Sequence, residues 1–234
     1  MTAIFKREME SYFNSITGYI FLSVIYLFGG IFLWVTSLYM GNGDISGVFA
    51  SLLIIVLLLI PILTMRLISE ELKQKTDQAL FTAPIHMSSI VFGKYLSALV
   101  MYIIGISITW VYALVFSIYT KPDWASITGN FVGLLLVGAA LISIGLFVSS
   151  TTESQIVAAV ASYVLCILIM LIDGIAEFFS NSFLYDVLKS LSFSQHYKNF
   201  TLGIINATDT IFFLSVCAIF IILTIRSLDK KKWN

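Results

Sequence analysis

GVFASLLIIVLLLIPILTM, residues 47–65, carries no ionisable side chain, and RLISEELKQK, residues 66–75, follows it directly. About 20 apolar residues in a helix cross about 30 Å of hydrocarbon, so the first stretch reads as a membrane span. The second, with charges at five of its ten positions, belongs at the water edge. Working outward from that junction, apolar runs set against charged segments place spans near 18–40, 47–65, 95–119, 126–148, 155–172 and 209–225. Unbroken runs of this length satisfy their backbone as helices, whereas a barrel needs alternating strands of about ten residues. The expected fold class is all-α, a polytopic bundle of six transmembrane helices. The last run is short for a full crossing and must recruit Thr208 and Asp209 or thin the bilayer.

Composition agrees with this reading. The 234 residues are 59 % hydrophobic and 11 % charged, against roughly 45–50 % and about 25 % in soluble domains, so the bilayer is the main solvent. Residues 1–234 are expected to form a single transmembrane domain with no separate soluble one. The formal net charge is zero and no segment concentrates basic residues enough to engage nucleic acid. Cys166 and Cys217 lie inside apolar stretches and read as small hydrophobic side chains.

Lysine and arginine favour cytoplasmic loops. With six spans, one side receives Lys6, Arg7, Arg66, Lys73, Lys75, Lys94, Arg226, Lys230, Lys231 and Lys232, and the other only Lys121, Lys189 and Lys198. Both termini are therefore expected in the cytoplasm. Before the first span, Ile4, Phe5, Met9, Tyr12 and Phe13 recur at helical spacing among Lys6, Arg7, Glu8 and Glu10, the pattern of an interfacial helix that either anchors the chain or grips a partner. The region 173–208 mixes Phe178, Phe179, Phe183, Leu184, Leu188 and Leu191 with scattered charges. It reads as short re-entrant helices in the outer leaflet, serving either as a cap over a pathway or as plain packing.

The missing chemistry narrows the function. Buried ionisable groups mark the paths of ion-coupled carriers; in these spans they occur only at the ends, as Glu153, Asp173 and Asp209. A phosphate-binding loop is absent, since Gly93-Lys94 is preceded by Ser88 where the first glycine would stand and followed by Tyr95. His86 and His196 fall on opposite sides and cannot share a metal, and they read as loop histidines. Gly41-Asn42-Gly43-Asp44 and Tyr185-Asp186 match short motifs of intramembrane aspartyl proteases, but in reversed order and with Asp44 in a turn.

The inner segment 66–94 is too long for a tight turn. Glu70, Glu71, Lys73 and Lys75 favour helix, and Pro84 turns Ala83 away from it. The result is a short amphipathic piece that is either simply solvated or offers charge and an apolar knob to a soluble partner. Glu70, Glu71, Thr76, Leu80, Thr82, Ala83, Pro84, Gly93, Lys94, Tyr95 and Leu96 resemble the coupling loop of type-2 ABC permeases, with Lys75 where that family often has glycine. The segment 194–204, with His196, Phe200 and Gly203, resembles the family's stretch before its last span. The tail 226–233 resembles its basic ending, and Phe5–Glu8 with Tyr12–Ser15 and Gly18-Tyr19 resemble its N-terminus. Within the family the chain is most similar to the gliding-motility and nitrous-oxide-reductase-maturation permeases.

The resemblance implies an exporter-type half with an N-terminal interfacial helix, a cytoplasmic coupling helix and outer re-entrant helices, in a bacterial cytoplasmic membrane. It implies an ABC ATPase partner in two copies, which holds the ATP and magnesium, and a second permease chain, the same or related. This chain itself is expected to bind no cofactor or metal and to catalyse nothing. The expected ATPase contacts are polar at Glu70, Glu71 and Lys73, with Thr76 in the loop and Leu80, Phe81 and Pro84 forming the knob. The pairs Ala139/Ser143, Gly145/Ser149 and Ala158/Ser162 allow close helix approach, between chains or within one. A carrier or channel that works without an ATPase is the alternative, and no residue of a substrate path is singled out.

Overall fold

A computed structural model describes residues 2–39, 46–75, 86–119, 122–177 and 183–233. Every element within them is helical: α1 (Thr2–Phe13), α2 (Ile16–Phe32), α3 (Ser46–Thr64), α4 (Ser69–Gln74), α5 (Met87–Ile106), α6 (Ile108–Tyr119), α7 (Trp124–Thr151), α8 (Gln155–Glu177), α9 (Phe183–Ser190), α10 (Phe193–Thr201) and α11 (Ala207–Trp233). The end of α2 widens into π-helical turns over Leu33–Tyr39. Six stretches are long and apolar enough to cross a membrane: Ile16–Thr36, Ser46–Gln74, Met87–Ile118, Trp124–Thr151, Gln155–Ile172 and Ala207–Lys231. The chain is an all-α polytopic bundle, and six crossings put α1 and the end of α11 on one side, here the terminal face.

The third and sixth spans begin earlier than their apolar runs. The third begins at Met87 rather than Tyr95, which draws Lys94 out of the loop and into the helix. The sixth recruits Thr208 and Asp209, the first of the two expected solutions: its helix begins at Ala207 and its 27 residues span about 40 Å at 1.5 Å per residue.

The core lies along α7. Of its most apolar window 78 % is buried, against 17 % for the span in α8, so α7 is the centre of the bundle and α8 lies at its periphery, with Ile156, Val160, Ile167 and Leu171 exposed. Around α7 pack α3, α5, α8, α10 and α11. Its small residues make this possible. A methyl group at Gly138 would lie 2.2 Å from the Tyr102 ring, whose hydroxyl donates to the Leu134 carbonyl at 2.6 Å. Ala139, Ser143, Gly145, Ser149, Ala158 and Ser162 are all buried, so the close approach these pairs permit is used within the chain.

Other irregularities have local causes. The third span bends between α5 and α6, where Ser107 and Thr109 donate back to the carbonyls of Ile104 and Ile106 at 2.7 and 2.8 Å. Pro61 lies inside α3, which continues past it to Thr64, and the Tyr163 hydroxyl donates to the nearby Leu58 carbonyl at 2.7 Å.

On the opposite face, α9 and α10 form the short helices expected in the region 173–208; Phe178 and Phe179 lie outside the described residues. Phe200 of α10 sits against Gly129 and Gly133 of α7. Gly203 turns the chain after α10 at φ +75°, with Ala125 backbone 2.9 Å from where a Cβ would stand, so only glycine fits there. His196 is a helical residue, not a loop one: its Nδ1 lies 2.6 Å from Asp209 at the start of α11, and its ring stacks on Phe212. Asn199 donates to the other Asp209 oxygen at 2.7 Å. This cluster fastens α10 to the last span. The Gly41–Asp44 turn lies outside the described residues.

Candidate functional site

At the terminal face, α1 lies against α5 and α2, its Tyr12 hydroxyl reaches the Leu63 carbonyl near the end of α3, and Arg7 of α1 reaches Glu71 of α4. Ile4, Glu8 and Tyr12 recur every four residues on one face of α1 and point inward; Ile4 and Tyr12 are buried. The interfacial helix of the sequence reading is therefore fixed to the bundle through a face that includes a carboxylate.

Glu8 meets Lys94 of α5 at 2.9 Å. The Lys94 side chain is 2 % exposed, and all three of its ammonium hydrogens have acceptors: Glu8, Glu71 at 3.0 Å and the Leu67 carbonyl at 2.6 Å. A cation this deep persists only when it is paired and fully hydrogen-bonded. Glu71 also takes the Arg7 guanidinium, which reaches Glu8 at 2.9 Å. Arg66 binds Glu70 at 3.0 Å and Thr17 of α2 at 2.8 Å.

Three cations and three carboxylates thus line an open cleft of about 310 Å³ and balance to zero. Burial pushes the Glu8 carboxyl up, but Lys94 and then Arg7 outweigh it and hold the group below the usual glutamate value. Each cation of this set is committed to a carboxylate, so the cleft braces α1, α4 and α5 against one another. Among the described residues no group of His, Cys, Asp and Glu is placed to hold a metal.

The residues singled out in the sequence part company here. Glu71 faces inward and belongs to the brace. Glu70 sits at the rim, one third exposed and paired with Arg66. Lys73 is exposed on the outer side of α4, and Leu72 of the same helix is buried. Lys75 ends α4 in the left-handed conformation, φ 55° and ψ 24°, at the position where the resembling family often has glycine. Thr76, Leu80, Phe81 and Pro84 lie outside the described residues. Arg7, Glu8, Arg66 and Lys94 were not among the candidates, although a glutamate between Ile4 and Tyr12 on one helical face was a readable sign of a buried charge.

No curated protein matches the chain. Residues 4–233 match the family described as ABC-2 family transporter protein, whose members are the membrane translocation subunits of ABC transporters and work with an ABC ATPase. With that match over nearly its whole length and six apolar crossings, the chain belongs to the ABC-2 transporter family as a multi-pass permease subunit.

Proposed function

We propose that this permease serves an exporter, with its terminal face in the cytoplasm of a bacterial cell and α4 as the leading edge of the surface that docks the ATPase. The observation that carries this reading is the brace itself. A six-residue helix leaving a membrane span is not stable alone, yet α4 is held by Arg7 and Lys94 through Glu71 and by buried Leu72. Its Lys73 and the rim residue Glu70 are left to face a partner. The excess of basic residues in the same inner segments supports the cytoplasmic placement.

In this reading two ATPase subunits hold ATP and magnesium and engage the segment from Glu70 to Pro84. A second permease chain, the same or related, completes the translocation path. Closure of the ATPase pair pushes α4 and rocks the bundle between inward-open and outward-open states as a rigid body. The N-terminal, coupling-loop and C-terminal motifs support a place near the gliding-motility and nitrous-oxide-reductase-maturation permeases. Affinity purification of the tagged chain from native membranes in mild detergent tests the docking. An ATPase subunit that co-purifies, and is released by Lys73→Glu, is the expected result; a chain that purifies alone makes it a self-contained carrier or channel.

A further inference from the structure

The second span does not run on as helix into α4. Met65–Ile68 form a turn between Thr64 and Ser69, and in a continuous helix the N–H groups of Ile68 and Ser69 would bond the carbonyls of Thr64 and Met65. Here the Leu67 N–H takes the Thr64 carbonyl instead, at 3.1 Å. Backbone groups freed at this depth need other partners.

Side chains from three other helices supply them, together with the Ser69 hydroxyl, which also donates to the Met65 carbonyl. Ser149 of α7 accepts from the N–H groups of Ile68 and Ser69, both at 3.1 Å, and donates to the Met65 carbonyl at 3.1 Å. One hydrogen and two lone pairs are all a hydroxyl has, so Ser149 is saturated by this break alone. Lys94 of α5 holds the Leu67 carbonyl, and the Tyr12 hydroxyl of α1 holds that of Leu63 at 3.1 Å. Ser149, Ser69 and Thr64 are fully buried. Gly145, one turn before Ser149, brings α7 close enough: a methyl group there would lie 2.2 Å from the Thr64 hydroxyl oxygen.

The start of α4 is therefore hydrogen-bonded to α7 where a continuous helix would have bonded it to α3. From Ser149, α7 runs as one helix of 28 residues to the opposite face. There Asn130 and Ser126 reach the Thr201 carbonyl at the end of α10, at 3.4 and 3.2 Å.

We propose that Ser149 is the positioning residue that passes displacement of α4 to α7, and through it to α10 on the far side of the membrane. The inference rests on the reading that α4 docks an ATPase. It is tested on the complex of the chain with its co-purified ATPase in lipid nanodiscs, by measuring the distance between spin labels at Ile31→Cys on α2 and Lys198→Cys on α10. Magnesium ATP with vanadate is expected to shift this distance in the otherwise unsubstituted complex. Ser149→Ala should keep the ATPase bound and hydrolysing ATP while losing most of the shift, and Ser149→Thr, which retains the hydroxyl, should restore it. If Ser149→Ala does not assemble, Ser149→Cys, a weaker hydrogen-bonding group of similar shape, should give an intermediate shift. A full shift in the alanine or cysteine variant, or none in the unsubstituted complex, overturns the relay alone. A chain that purifies without an ATPase overturns the docking reading and the relay with it.

Discussion

Lys94 and Glu8 lie 86 positions apart in sequence and 2.9 Å apart in space. Their contact ties a helix that precedes the first span to the third. Removing one partner of a buried pair strands the other's charge, at a cost of about 3–5 kcal/mol. Lys94→Met is expected to destabilise the chain by less than that, about 1–3 kcal/mol, because Glu8 and Glu71 are then left to share Arg7 alone. Thermal unfolding in detergent checks this, and Glu8→Gln in the same chain should recover part of the loss.

The lowered Glu8 carboxyl fixes the sign of a pH effect. A carboxylate held below its unfolded value contributes stability that is fully present above that value, about pH 4.3 for glutamate, and is lost as pH falls through the folded one. The melting temperature should therefore be insensitive to this group from pH 7 to about pH 5 and drop below that. Glu8→Gln should flatten the acid limb, and an unchanged limb would assign the acid sensitivity elsewhere.

Lys75 is the one described residue other than glycine with positive φ. The left-handed conformation costs a residue with a Cβ about 1–2 kcal/mol, and glycine is the usual helix terminator there. Lys75→Gly should raise stability by about 1 kcal/mol, read from the unfolding midpoint.

Two glycines on different helices make a matched pair. Gly138→Ala pushes a methyl group into the buried Tyr102 ring and should cost about 1–3 kcal/mol as overpacking. Gly174 of α8 has nothing within 4 Å of an added Cβ, so Gly174→Ala should be neutral or stabilise by up to about 1 kcal/mol through helix propensity. Equal effects at the two sites would refute the packing assigned to α7.

The six crossings were legible because a span is a local property of about 20 residues, and length and hydropathy are both in the string. The site was legible only in part. Glu70, Glu71 and Lys73 stood out as charges beside a span, but which of them turns inward depends on Lys94 and Arg7, which arrive from other helices. Lys94 itself read as a loop cation, because the eight helical residues from Met87 to Lys94 carry too little hydrophobicity to announce a span. The Gly145/Ser149 pair announced a close approach; that the serine would hold the backbone of 65–69 could come only from the break in α3, which no residue pattern marks.

The packing of α7 also bears on how the protein is made. Phe147 lies against Phe220, and Lys231 holds the Ser150 carbonyl at 2.9 Å, so one flank of the central helix is closed by α11, whose residues leave the ribosome more than fifty positions later. Until then that flank stays open to lipid or to an insertion chaperone, and the bundle cannot mature span by span. Docking of α11 onto α7 completes the packing of the central helix.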